Sequence, residues 1–516
     1  MKVTVCNENR EVNRYYVQTL CMIFFPGEKF SDTDDESPIS ITVGFGETEE
    51  AATAWAELRV GDKLYRKETS TEFNSDRSHK RTLKIAVGGA VLGVCNEYCG
   101  YRSSWGMFTG VRPSKVASEL LMKGYSKTRA KKTLVSDYRL FYKKAELAVD
   151  VAAAEKRIIG TPHYKDCSLY VSIPFCPTRC DYCSFVCYTS KKLLSLIPEY
   201  LTLLLRELRD AFSLIDRFGM NVKTVYIGGG TPSILTADQL RLLLSCIREG
   251  LRGKELEEFT LEAGRPDTID AEKLAVASEY GITRVCVNPQ TLNQPILDAI
   301  GRRHTIDDFF RAYDIVKNAG IPDINTDLIA GLPGDTFEVF AESLDKVISL
   351  DPTNVTVHTF CVKKSAELLR KNSNIYSVRG GDVGKCIDYS QVTLPENGYN
   401  PYYMYRQKNS MGNFENVGFA KAGREGKYNI YMMEEVHSIL AVGAGAVTKL
   451  VKYVPASIGD SEIRRLFNPK YPYEYLRCEN TEHPYEHFFE EFEAFFEKRE
   501  KELEKECADK ESDKLN

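Results

Sequence analysis

The chain has 516 residues, 43% apolar and 27% charged, with 68 Lys and Arg against 73 Asp and Glu for a formal charge of −5. At ~150 residues per domain the length predicts two to four domains, and the composition excludes collagenous, wholly disordered and mini-protein classes. The acidic excess argues against a protein that tracks nucleic-acid phosphates, and no apolar run reaches the ~18 residues of a bilayer span. The opening MKVTVCNENREV lacks the apolar core of a secretory signal, which predicts a cytoplasmic protein. In that compartment fifteen cysteines point to metal or redox chemistry more than to disulfides.

Residues 1–160 are predicted to form an α+β domain whose role the sequence does not disclose. Met1–Cys6, Tyr15–Phe25 and Pro38–Phe45 read as short strands separated by polar turns, including the acidic run Ser31–Ser37. GVRP at Gly110–Pro113 reads as a turn into a helix over Ser114–Lys123, and Lys127–Ile158 carries a long helical pattern. Residues 161–385 change rhythm. Six β-rich runs (Leu169–Pro174, Val222–Gly228, Phe259–Gly264, Arg284–Gln290, Asp323–Gly331, Asn354–Phe360) alternate with helical stretches, and Thr236 with Gln239 forms a capping box. Such alternation implies a parallel sheet with helices outside, and right-handed crossovers curve six units into an open partial (β/α)6 barrel where eight would close one. Residues 386–516 are predicted to be an α+β extension that covers the substrate. It holds an aromatic, turn-rich Asn397–Arg406, a helical start and GAGA turn in Glu434–Lys449, and a charged amphipathic tail over Phe488–Lys510.

Cys176, Cys180 and Cys183 form a C-x3-C-x2-C loop directly after the first β run. Three thiolates on one short loop can hold three corners of a [4Fe–4S] cluster and leave the fourth iron open; zinc remains an alternative, with Cys187 as its fourth ligand. Gly228-Gly229-Gly230-Thr231-Pro232 ends the second run, where glycines allow close backbone approach and offer N–H donors to a carboxylate, although a plain tight turn also uses them. Glu262, Gln290 with Arg302, and Asp327 come at or near later strand ends. Singly each reads as a satisfied polar residue; together with the cysteine loop and GGGTP they occupy the active end of a parallel α/β barrel. Carboxylates there suit ribose hydroxyls and an amine, and Gln290 and Arg302 suit amide or carboxylate contacts.

The cysteine spacing is the signature of the radical S-adenosylmethionine (SAM) superfamily. LYVSIPFCPTRCDYC, GGGTP, LEAGRPD, NPQTLNQPILDAIGRRH and NTDLIAGLPGDT further resemble the oxygen-independent coproporphyrinogen III oxidases (dehydrogenases), over about 165–365 closely and 390–450 loosely. Within them the chain resembles the branch with a long N-terminal extension found in anaerobic Firmicutes. The resemblance implies a [4Fe–4S] cluster on Cys176, Cys180 and Cys183, and two SAM molecules. Tyr170 matches a SAM-contacting tyrosine, and Gly229, Glu262 and the aliphatic Val447 match contacts to the first SAM. Tyr182, Gly230, Thr231, Gln290, Arg302 and Asp327 match contacts to the second, and Cys361 aligns with a backbone contact after the sixth strand. It also implies a tetrapyrrole substrate, an electron donor such as flavodoxin or ferredoxin, no nucleic-acid partner and a monomer. Two departures stand out. Ser172 replaces the histidine of the dehydrogenase Y-x-H-I-P-F-C pattern, and Phe185 replaces a further cysteine, a form shared with the related haem chaperones. The expected activity is oxidative decarboxylation of coproporphyrinogen III to protoporphyrinogen IX. The alternatives are a haem chaperone, for which His358 is the histidine nearest the site, and another tetrapyrrole-modifying radical SAM reaction.

Overall fold

The structure, a computed structural model, describes residues 1–31, 37–183, 185–361, 381–407, 410–452, 462–477 and 483–515, with side chains as far as 502. Residues 32–36 of the acidic run therefore lie outside it, as does the part of the 161–385 region beyond Cys361 and before 381. The described chain forms two compact units. One comprises Met1–Ala154, Gly381 and Met404–Glu415; the other holds the remaining described residues.

The first unit is a four-stranded sheet in the order β1 (Lys2–Val5), β2 (Ile39–Glu47), β3 (Ala51–Val60), β4 (Lys63–Glu72). β1 runs parallel to β2 and the others pair antiparallel. Helix His79–Cys99 lies against β3 and β4, with Thr69 Oγ1 donating to the Ala86 carbonyl at 2.6 Å. Tyr15–Phe25 is not a strand: Arg14–Cys21 is a helix, capped by the Asn13 side chain, burying Val17, Leu20 and Cys21 at helical spacing. The Lys127–Ile158 pattern is two helices, Lys127–Ser136 and Tyr142–Ile159, separated around Arg139, whose φ is +62°. The β3–β4 hairpin turns on Gly61 and Asp62, and GVRP does lead into helix Ser114–Met122. Deep in this unit Lys144 pairs with Glu415 at 2.8 Å, both almost wholly buried, and the Trp105 indole donates to the other Glu415 oxygen at 2.6 Å.

The second unit carries an eleven-stranded sheet. Its centre is the six expected strands in sequence order: β5 (Asp166–Ile173), β6 (Asn221–Gly229), β7 (Glu258–Glu262), β8 (Arg284–Cys286), β9 (Asp323–Ala330) and β10 (Asn354–Thr359), all parallel. Helices cover the strands, so β5 is buried on both faces and reads as an unbroken apolar run. Helix Ile197–Arg217 packs one stripe of Leu201, Leu204, Leu208 and Phe212 inward, and helix Ala237–Leu251 opens with the Thr236–Gln239 capping box. This is the α/β parallel architecture expected.

The sheet continues past both ends of that set. Beside β10 lie β12 (Glu415–Ala420), antiparallel, and β11 (Asn400–Arg406), so the aromatic run is a strand. Beside β5 lies β13 (Ser438–Val442), parallel, and then antiparallel β14 (Val447–Lys452) and β15 (Glu462–Phe467). The helical start expected in Glu434–Lys449 belongs one step earlier, in helix Lys427–Glu434. The segment after that helix pairs as β13 because all five of its residues are buried. The C-terminal tail is a helix over Phe489–Leu515. Among the described residues no helix is long and apolar enough to cross a membrane.

Candidate active site at the carboxyl ends of the parallel strands

The cysteine loop leaves β5 and is tied at each turn. Cys176 N–H donates to the Tyr188 carbonyl at 3.1 Å, Tyr188 N–H to Pro174 at 2.9 Å, and Asp181 N–H to Ile300 at 3.0 Å. GGGTP braces it from β6. Gly230 N–H donates to Ile173 and Thr231 N–H to Phe175, at 2.9 and 2.8 Å, so these two donors hold the loop itself. A Cβ on Gly230 would stand 2.6 Å from the Phe175 carbonyl and 2.9 Å from Cys176 Sγ, and Gly229 has φ +110°. Close approach to the thiol loop, not only turn geometry, requires glycine here.

Cys176, Cys180 and Cys187 are buried and Cys183 half-buried. The Thr231 hydroxyl donates to Cys176 Sγ at 3.2 Å and the Arg265 guanidinium to Cys180 Sγ at 3.5 Å. The Cys187 thiol lies within hydrogen-bonding reach of both Cys176 and Cys183. It holds the Cys176 thiol below its usual value, with Thr231 and against burial, and it pushes Cys183 up. Among the described residues no three His, Cys, Asp or Glu side chains are already closed around one point. The donor set nonetheless suits an iron–sulfur cluster: three soft thiols on one loop, two of them receiving side-chain donors that stabilise thiolate.

Beside the loop, Tyr170 on β5 faces Tyr226 on β6 with ring centroids 6.2 Å apart, and Tyr428 stacks on both, at 4.6 Å from Tyr226. The Tyr226 hydroxyl reaches Glu262, at the end of β7. Glu262 keeps part of its surface open but is otherwise enclosed. Burial, then the facing Asp327, push its carboxyl up to about 8. A Cβ on Gly228 would come within 2.9 Å of Glu262 Oε2.

Asp327 on β9 behaves oppositely. Burial works to raise it, but His358 at 3.5 Å and Asn325 Nδ2 at 2.7 Å hold it below the usual carboxylate value. Its N–H donates to Asn288 Oδ1 at 3.2 Å, and its carbonyl accepts from Gln290 N–H at 3.1 Å. Gln290 has φ +70°, rare for a residue with a side chain and the kind of backbone found at functional positions. Arg302, 4% exposed, joins three loops: Nη2 donates to the Gly264 and Asn288 carbonyls at 2.6 and 2.7 Å, and Nη1 to the Tyr182 hydroxyl at 3.1 Å. His304, fully buried, is pushed down to about 3 by burial and then by Arg302 and Arg265, so it is neutral.

The cysteines, Tyr182, Gly229, Gly230, Thr231, Glu262, Gln290 and Arg302 lie at or beyond the carboxyl ends of the parallel strands, while Tyr170 and Asp327 sit inside β5 and β9, three residues before those strands end. Cys361 comes after β10, half-buried, at the limit of the described segment. Val447 opens β14 opposite Phe467. The Gly443–Ala446 turn before it is fixed to β5: the Ser172 hydroxyl donates to the Ala444 carbonyl at 2.9 Å, and a Cβ on Gly443 would stand 2.6 Å from the Ser172 carbonyl. Ser172, where the dehydrogenases have histidine, is therefore committed to a structural contact. Beneath the turn, buried Glu207 accepts from Gly443 N–H, Asn468 Nδ2 and the Tyr475 hydroxyl, and burial raises it to about 7. Sequence reasoning missed Tyr226, Tyr428, Asn288, Asn325 and Arg265. Tyr226 carried a signal, standing two residues before the glycines in a strand; the others carried none on their own.

A model of the Radical SAM superfamily matches residues 170–347. The chain is 35% identical over 473 residues to the oxygen-independent coproporphyrinogen-III oxidase-like protein HemZ of Bacillus subtilis (strain 168), covering 90% of this chain and 91% of that one. It is 31% identical over 284 residues to the heme chaperone HemW of the same organism, covering 54% and 70%. Among solved structures, coproporphyrinogen III oxidase (HemN) from Escherichia coli matches with a TM-score of 0.48 at 22% identity, covering 63% and 71%. With nine-tenths of both chains aligned to the first relative and the superfamily match spanning the cysteine loop, this chain belongs to the oxygen-independent coproporphyrinogen-III oxidase-like family of radical SAM proteins, a superfamily that works with a [4Fe–4S] cluster and SAM.

Proposed function

We propose that this protein catalyses the oxidative decarboxylation of coproporphyrinogen III to protoporphyrinogen IX in anaerobic haem biosynthesis. What supports the reading is that the residues matching two sets of SAM contacts in the resemblance come together on the carboxyl side of the parallel strands. Gly229 and Glu262, with Tyr170 beside them, match the first set; Tyr182, Gly230, Thr231, Gln290, Arg302 and Asp327 match the second, which a pure carrier has little physical need for. Two sets would serve two SAM molecules, one for each propionate. Similarity to the Bacillus subtilis oxidase-like protein over nine-tenths of both chains supports the same reading.

In this reading Cys176, Cys180 and Cys183 would hold the cluster, and its electron would come from a flavodoxin- or ferredoxin-type donor. When bound, cluster and SAM together supply a radical that takes hydrogen from carbon. Glu262 would accept from the SAM amino group, and the stack of Tyr170, Tyr226 and Tyr428 would wall the site against water. Arg302 fixes Tyr182 on the cysteine loop. At each of two propionates the substrate loses the hydrogen beta to the carboxylate, then carbon dioxide and one electron to an acceptor, leaving a vinyl group.

One feature favours a second reading, a haem chaperone. Phe185, 67% exposed, replaces the dehydrogenase cysteine, and the chaperones share this form. His358, the histidine that would serve haem, is paired with Asp327 instead. An anaerobic assay with reductant, SAM and coproporphyrinogen III decides. Vinyl product with about two SAM consumed per substrate supports the enzyme. Stoichiometric haem binding with no protoporphyrinogen IX, and 5′-deoxyadenosine release indifferent to coproporphyrinogen III, supports the chaperone.

A further inference from the structure

We infer that Arg265 is a positioning residue for the cysteine loop and sets the reduction potential of the cluster held there. The inference rests on Cys176, Cys180 and Cys183 as cluster ligands and adds a residue outside the thiol motif. Arg265 lies in the turn after β7, three positions beyond Glu262, and is 4% exposed. One edge of its guanidinium clasps Asp267: Nε donates to Oδ1 and Nη2 to Oδ2, each at 3.0 Å. That grip aims the other donors at the loop. Nη1 donates to Cys180 Sγ at 3.5 Å, and Nη2 also to Thr178 Oγ1 at 2.9 Å.

The backbone beneath is rigid. The N–H and hydroxyl of Thr268 both donate to the Arg265 carbonyl, at 3.0 and 2.8 Å. The Lys273 ammonium ties the Thr268 and Ser233 carbonyls together at 3.0 Å each. The planar fork is what lets one side chain hold a carboxylate, a hydroxyl and a sulfur at once; a lysine ammonium offers no such geometry.

A buried cation that donates to a ligand sulfur stabilises the reduced, more negative cluster more than the oxidised one. Removing it makes reduction harder. Asp267 acts with the opposite sign, because its carboxylate partly cancels the charge the cluster feels.

The test is a potentiometric titration of the anaerobically reconstituted full-length protein, reduced by dithionite through mediators and read by electron paramagnetic resonance. At the potential where the parent cluster is half reduced, Arg265→Gln is expected to show roughly a tenfold lower reduced-to-oxidised ratio, a midpoint ~59 mV more negative for one electron. Arg265→Lys, which keeps the charge and loses the fork, falls between the two. Asp267→Asn shifts the midpoint upward. Opposite shifts from the two halves of one ion pair are not the signature of a loosened fold. If Arg265→Gln takes up no iron while Arg265→Lys loads and shifts downward, the positioning role is upheld. Parent-like midpoints in both Arg265 variants, or a downward shift in Asp267→Asn, overturn the inference. A parent chain that assembles no [4Fe–4S] cluster overturns the ligand assignment on which it stands.

Discussion

Replacing Glu262 with glutamine should uncouple SAM binding from pH. In the parent, burial and then Asp327 hold this carboxyl at about 8, so at pH 7 about nine molecules in ten carry it protonated. If SAM is held by the carboxylate form of Glu262, binding at pH 7 gives up about 1.4 kcal/mol to remove the proton. Apparent affinity should rise nearly tenfold between pH 6 and 7, then level off above about 8, with close to one proton released per SAM at pH 7. Anaerobic calorimetry in two buffers of different ionisation heat measures both quantities. Glu262→Gln should abolish the slope and the proton release together. Parent affinity that is flat from pH 6 to 8, with no buffer-dependent heat, would refute the role of Glu262. The ligand-free protein carries the complementary sign. Its folded state keeps this proton to higher pH than the unfolded chain does, so the parent loses stability as pH rises from about 4.5 to about 8. Urea unfolding should find Glu262→Gln more stable than the parent at pH 8.5 and equal to it near pH 4.

Three further outcomes are expected. Cys180→Ala should lose its reconstituted, SAM-responsive cluster, measured as iron and sulfide per chain; full retention would remove Cys180 from the ligand set. Asp327→Ala, which deletes the carboxylate that His358 and Asn325 hold ionised, should weaken SAM binding roughly ten- to hundredfold, from a loss of ~1.5–3 kcal/mol, and equal affinity by equilibrium dialysis would sink its role. Glu415→Ala removes the buried carboxylate that pairs with Lys144 and accepts from the Trp105 indole, so denaturant unfolding should register a loss of ~3–5 kcal/mol.

The sheet and most of the site were legible because of how they are buried. Strands covered on both faces appear as short apolar runs, and the residues that follow them share one edge because the six strands are parallel. The N-terminal unit lacked that regularity. Tyr15–Phe25 is apolar but for the adjacent Gln18 and Thr19, a pattern that separates period 2 from period 3.6 poorly, and the Asn13 cap marks the helix start. The break at Arg139 was hidden because a residue with a side chain, not glycine or proline, takes the left-handed conformation. Arg265 and Tyr428 were invisible for another reason. Their meaning lies in partners, Cys180 and Tyr170, that only the folded sheet brings near.

The strand that delivers the cysteine loop has a neighbour made very late. β5 lies between β6 and β13, and Ser168 bonds His437 across 269 residues of chain. On the ribosome the three thiols therefore emerge tens of seconds before the strand that completes their support, at usual elongation rates. The pairing is also of the long-range kind that forms slowly. Through that interval β5 has a bare edge, and the turn that takes the Ser172 hydroxyl does not yet exist. Truncation anywhere before β13 leaves a domain with its cysteine loop less supported and β5 with an open edge, so such fragments are expected to be cleared by quality control and not to take up a cluster.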